Sequence, residues 1–97
     1  MIEQSGDSLR VTVPMVIANA SALLEAGRQC LQAAQRAGKT VFDLSAVDEA
    51  DSSSLTVVFA WLRSAREGGS TLCISHPPAS MISLAELYGV SDFLPLA

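Results

Sequence analysis

The sequence predicts an α/β fold in which helices pack on a small, largely parallel sheet with a mixed edge. Three observations carry this. Short β-rich runs alternate with stretches whose apolar residues recur every three or four positions, the alternation continues over the whole chain, and glycine or proline punctuates most changes of pattern. A length of 97 residues with 49% apolar and 16% charged residues suits one core, so a single domain over residues 1–97 is expected.

Leu9, Val11 and Val13 alternate with Ser8, Arg10 and Thr12, the period of a strand with one buried face, and the residues before them read as a polar lead-in. Pro14 removes a ladder donor, so Met15-Val16-Ile17 is expected as a separate short edge strand. From Asn19, placed to cap, residues Ala20, Leu23, Leu24, Gly27, Cys30, Leu31 and Ala34 fall on one helical stripe, which Gly38 ends. Lys39 to Leu44 is β-rich, and its near-continuous apolar character predicts a central strand. A polar linker leads to Asp51-Ser52-Ser53-Ser54, where a second helix opens with Leu55, Val58, Phe59, Leu62 and Ala65 toward the core. Gly68-Gly69 closes it, and Ser70 to Ser75 reads as a strand. Pro78 suits the first turn of a third helix, with Met81, Leu84, Ala85 and Tyr88 on one face and Gly89 at its end. Phe93, Leu94 and Leu96 make the tail apolar enough to pack back on the body.

Several function classes find no support. Ten carboxylates against six Lys and Arg give a net charge of −4, which offers no basic footprint for nucleic acid. Neither GxxxxGK[ST] nor GxGxxG occurs, so the chain is not expected to bind and hydrolyse ATP by itself. No Gly-x-Ser-x-Gly elbow surrounds Ser52 and the chain has one histidine, so a small serine hydrolase using Ser52 has only the serine in its favour. His76 has no second His or Cys at metal spacing and reads as a loop residue. Cys30 and Cys73 lie in apolar patterns without CxxC spacing and read as buried free thiols, suited to a reducing compartment. No catalytic residue, cofactor or metal ligand is expected. No apolar run approaches the roughly 20 residues of a membrane span, and the N-terminus lacks the pattern of a signal peptide. The expected location is therefore cytoplasmic, at the inner face of a membrane only through a partner and without direct membrane insertion.

Asp51, Ser52 and Ser53 stand where a helix start has unpaired N–H groups, and each good cap there contributes about 1 kcal/mol. Asp43, at the end of an apolar strand, is expected to accept hydrogen bonds from linker N–H groups. Val57 and Trp61, four apart, fall away from the centre of the second helix's expected core stripe. Either another element covers Trp61, or the pair forms a docking surface continuous with the Ser52 turn.

The run from Val41-Phe42-Asp43-Leu44-Ser45 through Asp51-Ser52-Ser53-Ser54-Leu55 resembles the signature of STAS domains, the family of bacterial anti-sigma factor antagonists and anion-transporter tails. That signature is a hydrophobic strand ending in Asp-Leu-Ser, a short linker, then Asp-Ser/Thr-Ser/Gly-Gly-Leu opening a helix. Ser54 departs from it, standing where the family usually carries Gly, and a side chain there is expected to alter how closely a partner approaches. The resemblance implies a STAS fold and gives Ser52 the place of the serine or threonine that is phosphorylated or contacts a partner. A phosphate would add about −1.5 to −2 charges there. The size, the second helix's start and the segment Leu84-Ala85-Glu86-Leu87-Tyr88-Gly89-Val90 most resemble the small stand-alone MlaB-type subunit of Mla phospholipid-transport ABC complexes. What that implies is a non-enzymatic accessory subunit bound to the ATPase of a transporter that maintains outer-membrane lipid asymmetry in a Gram-negative bacterium. The docking surface expected on this reading comprises Asp51, Ser52, Ser53, Ser54, Val57 and Trp61. The alternative left open is an anti-sigma factor antagonist whose binding to a kinase partner is reversed by phosphorylation at Ser52.

Overall fold

Strands β1 (Ile2–Ser5), β2 (Ser8–Val11), β3 (Lys39–Asp43) and β4 (Thr71–Ser75) form one sheet in that order. β1 and β2 are antiparallel, while β2–β3 and β3–β4 are parallel, so the sheet is mixed at one edge and β3 is paired on both sides, as the sequence predicts. Helices α1 (Ile17–Ala33), α2 (Ser53–Glu67) and α3 (Ala79–Leu87) alternate with the strands, and a 3-10 turn, Ser91–Phe93, precedes the tail. This computed structural model describes residues 1–33 and 38–97; Ala34, expected to continue the α1 stripe, lies outside the described residues.

Two expectations near the N-terminus are corrected. The lead-in is a strand, because Ile2–Ser5 pairs with Ser8–Val11 across a loop whose first residue, Gly6, sits at φ 61°. A side-chain-free residue takes that left-handed conformation without strain. Met15-Val16-Ile17 is not a strand: Met15 makes one isolated parallel bridge to Ala50, and α1 begins at Ile17. Asn19 is therefore inside the helix, where its side-chain amide donates to the Pro14 carbonyl at 2.8 Å.

The register aligns Leu9, Phe42 and Ile74 across one sheet face. On that face Val11, Phe42, Leu72 and Ile74 are buried against the helical layer, while the other face carries Arg10, Asp43 and Ser75 in a row. The period of two along each strand separates the two sets.

The buried stripe of α2 is rotated from the expected one. It contains Ser54, Leu55, Val57, Val58, Trp61 and Ala65, whereas Phe59 and Leu62 are only half-buried. Val57 is 1% exposed and Trp61 0%, so neither presents a docking surface. The reason is α1, which packs along that side of α2. The Trp61 indole stacks on Phe42 with ring centroids 4.5 Å apart and planes at 15°. Its Nε1–H donates to the carbonyls of Leu23 and Leu24, each at 3.2 Å, which satisfies the one polar group a buried tryptophan carries.

At the C-terminal end Met81 and Ala85 of α3 are buried as expected, but Tyr88 is 57% exposed. The tail returns to β4: Ile74 N–H donates to the Pro95 carbonyl at 2.8 Å, and Ala97 N–H donates to the Ile74 carbonyl at 2.9 Å. Leu94 is buried by this return, while the Phe93 side chain stays 67% exposed.

Candidate docking site

The segments leading into α1 and α2 lie side by side. Met15 N–H donates to the Glu49 carbonyl at 2.9 Å and Asp51 N–H to the Met15 carbonyl at 3.2 Å. This exchange carries the Asp51 carboxylate to both helix starts. Its Oδ2 accepts from Ile17 N–H at 3.0 Å in the first turn of α1, and its Oδ1 accepts from Ser53 N–H at 2.9 Å and from the Ser53 hydroxyl. One carboxylate thus caps two helices, where free N–H groups and the helix dipoles both favour negative charge. The Ser53 hydroxyl first, and then the Ile17 amide, hold the Asp51 carboxyl below the usual carboxylate range.

The three serines that follow separate by environment. Ser54 is completely buried and its hydroxyl donates to the Asp51 carbonyl at 2.7 Å, so its expected contact with a partner is corrected: the side chain closes the turn from inside. Ser53 is half-buried and committed to Asp51. Ser52 is exposed and makes no side-chain cap bond. The capping expected of this cluster is carried by Asp51, and the Ser52 hydroxyl faces outward from a turn that others hold.

Beside Ser52 a shallow groove is lined by Ile17, Thr56, Phe59, Tyr88 and Val90. Phe59 and Val90 also line a second groove that continues to Leu62 and Phe93. Ile17 at 74% exposure joins Tyr88 and Phe93 as large apolar side chains open to solvent. The outer side of α2 therefore borders an apolar patch, through Phe59 and its neighbours from α3 and the tail. Sequence periodicity assigned Phe59, Leu62 and Tyr88 to the core, Val90 and Phe93 to the returning tail, and Ile17 to a short edge strand. The signal available for them was the aromatic content of the segment that follows α3.

Other expected residues fall outside this surface. Asp43 Oδ1 accepts from Ser45 N–H at 2.9 Å, as anticipated, and that bond is the main cause holding its carboxyl below the usual range. Arg10 Nε lies 3.5 Å and His76 Nδ1 3.6 Å from the same carboxylate. Cys30 and Cys73 are half-buried free thiols, and burial pushes the Cys30 thiol up. Among the described residues no group of three His, Cys, Asp or Glu could hold a metal, and no helix is long and apolar enough to cross a membrane.

Similarity to solved structures supports the fold. A Thermotoga maritima protein provisionally assigned as an anti-sigma factor antagonist superposes with a TM-score of 0.75 at 19% identity, over 99% of this chain and 83% of that one. The anti-sigma factor antagonist SpoIIAA in its unphosphorylated form gives 0.63 at 12% identity, over 90% of this chain and 81% of that one. The Bacillus cell fate determinant SpoIIAA in its phosphorylated form gives 0.60 at 14% identity, over 100% and 89%. No curated protein matches the chain by sequence. The family profile described as "Mlab, STAS domain" matches residues 2–96, nearly the whole chain. With its Asp51-Ser52-Ser53 turn opening α2 and a mixed sheet under three helices, the chain belongs to the MlaB-type STAS domain family.

Proposed function

We propose that the chain is a non-enzymatic accessory subunit that docks on the ATPase of an ABC phospholipid transporter maintaining outer-membrane lipid asymmetry. The observation that carries this is the exposed Ser52 on a turn fixed by Asp51, at the head of an uncovered apolar face built from Ile17, Phe59, Tyr88 and Val90. Contiguous exposed apolar surface of this kind marks interaction sites in soluble domains. Docking uses Ser52 and that face, with Asp51 and Ser53 fixing the turn from beneath. Ser54, Val57 and Trp61 act only as support. On this reading residues 1–97 work as one STAS domain, held at the inner face of the inner membrane by the partner.

A second reading has its own observation in favour. SpoIIAA, whose fold this chain shares, has structures in unphosphorylated and phosphorylated forms, and Ser52 presents a free hydroxyl at a helix start where a phosphate would be tolerated. Here the chain would be an anti-sigma factor antagonist released from its kinase by phosphorylation at Ser52.

Titration of the purified chain against the ATPase subunit of the same organism's phospholipid transporter, and against its anti-sigma kinases with ATP, separates the two. Saturable binding to the ATPase subunit without phosphate transfer to Ser52 is the expected result. Phosphate transfer by a kinase with no ATPase binding would overturn it.

A further inference from the structure

The groove that continues the docking face away from Ser52 ends on two arginines. Phe59, Leu62, Val90 and Phe93 supply its apolar floor, Arg63 and Arg66 stand beside them one turn apart on α2, and Asp92 is its one carboxylate. Arg10 and Arg28 are each paired with a carboxylate, but Arg63 and Arg66 form no ion pair among the described residues. Arg63 also borders the groove between α1 and α2 beside Glu67 without bridging to it. Arg66 lies in the last turn of α2, where the helix dipole favours a cation, but Arg63 is in the helix interior and has no such cause. In a chain of net charge −4, two unpaired guanidinium groups beside the half-buried Phe59 and the exposed Phe93 form a local field of the opposite sign.

Guanidinium groups present a fork of donors that matches a carboxylate, and aromatic side chains next to them supply the apolar anchors of a peptide groove. We propose that this end of the docking face receives an amphipathic acidic segment of the partner ATPase, its apolar ridge on Phe59 and Phe93 and its carboxylates on Arg63 and Arg66. The inference rests on the docking reading above and adds to it the chemistry of the segment that binds. Arginines one turn apart on α2 fit carboxylates spaced by one helical turn on the segment, since three or four residues place side chains on one face.

The test uses the full chain and the ATPase subunit of the same organism's phospholipid transporter, with affinity measured by calorimetry at low and high salt. Arg63→Glu combined with Arg66→Glu is expected to weaken binding about tenfold or more, the loss of close interfacial charge pairs, and to flatten its salt dependence. Arg63→Lys with Arg66→Lys, which keeps the charges but loses the fork, weakens binding less than the reversal does, and Arg28→Glu, on α1 and paired with Glu25, leaves it unchanged. Melting curves confirm that each variant is folded. If the wild type binds and Ser52→Asp weakens it while the double reversal stays within about twofold, the inference fails and the docking reading stands. Absence of wild-type binding overturns both. Co-sedimentation with phosphatidylglycerol vesicles, lost on the double reversal, would assign the arginines to a membrane surface and overturn the acidic-segment inference.

Discussion

Gly27 in α1 lies so close to Trp61 in α2 that a Cβ on the glycine would come within 2.1 Å of the indole Nε1 and 2.2 Å of Cε2. The ring cannot yield easily, because Phe42 stacks on one face and the Leu23 and Leu24 carbonyls hold its N–H. Gly27→Ala should therefore destabilise by about 1–3 kcal/mol despite alanine's better helix propensity, as overpacking does. Trp61→Ala, which empties the same contact, should cost about 3–5 kcal/mol. Urea midpoints measure both, and a Gly27→Ala protein at least as stable as wild type would mean that α1 and α2 separate freely.

The same contact explains what sequence reading could and could not reach. The strands β2, β3 and β4 and the three helices were legible because glycine or proline stands at most changes of period. β1 was not, since Ile2 is its one apolar side chain and Glu3, Gln4 and Ser5 show no alternation. Trp61 was misplaced because helical spacing fits Leu55, Val58, Phe59 and Leu62 as one stripe equally well, and only the neighbouring helix decides between the two. Gly27 within the α1 stripe was the clue, as a glycine inside a helix often marks close approach of another element. The serine turn was legible as a helix start, but the division of labour within it depended on which side chain reaches across to Ile17, a contact 34 residues away in sequence.

Ser52 is the position at which folding and the proposed docking can be told apart. Because it makes no cap bond, Ser52→Ala should change stability by less than about 0.5 kcal/mol, the range of exposed substitutions. Ser52→Asp should also fold, with its carboxylate near the α2 N-terminus, but should weaken partner binding, since a charge without a counter-charge must then be desolvated. Thermal melts and calorimetry on the same preparations check both. Unchanged affinity for the Asp variant would place the turn outside the interface.

Asp51 makes stability depend on pH in a stated direction. Its carboxyl titrates lower in the folded chain than in the unfolded one, chiefly through the Ser53 hydroxyl and then Ile17 N–H. The stabilisation is thus fully present above the ordinary carboxylate pKa of about 4 and is lost as pH falls through the lower folded value. Asp51→Asn replaces one of the two accepting oxygens with a donor facing a backbone N–H. It should be clearly less stable than wild type at pH 7, and the gap should narrow below pH ~4. Denaturant midpoints across this range test it; a gap independent of pH would show that the carboxylate's charge has no part in fixing the turn.

Thr40 offers a gain. It is buried in β3, and its hydroxyl finds no hydrogen-bond partner among the described residues. Valine has the same shape without the unsatisfied donor, so Thr40→Val should stabilise the chain by roughly 1 kcal/mol. A loss of stability in the same urea assay would show that the hydroxyl is satisfied in solution.

Since one carboxylate fastens the first turns of α1 and α2 together, the surface around Ser52 is already in place before any partner arrives. On the docking reading, association then incurs little ordering cost in this loop. Changes at Ser52 should consequently appear in how long the complex lasts, with its rate of formation nearly constant. Weakening of the Asp51 staple should instead slow formation, because the chain would have to rebuild two helix starts each time it docked.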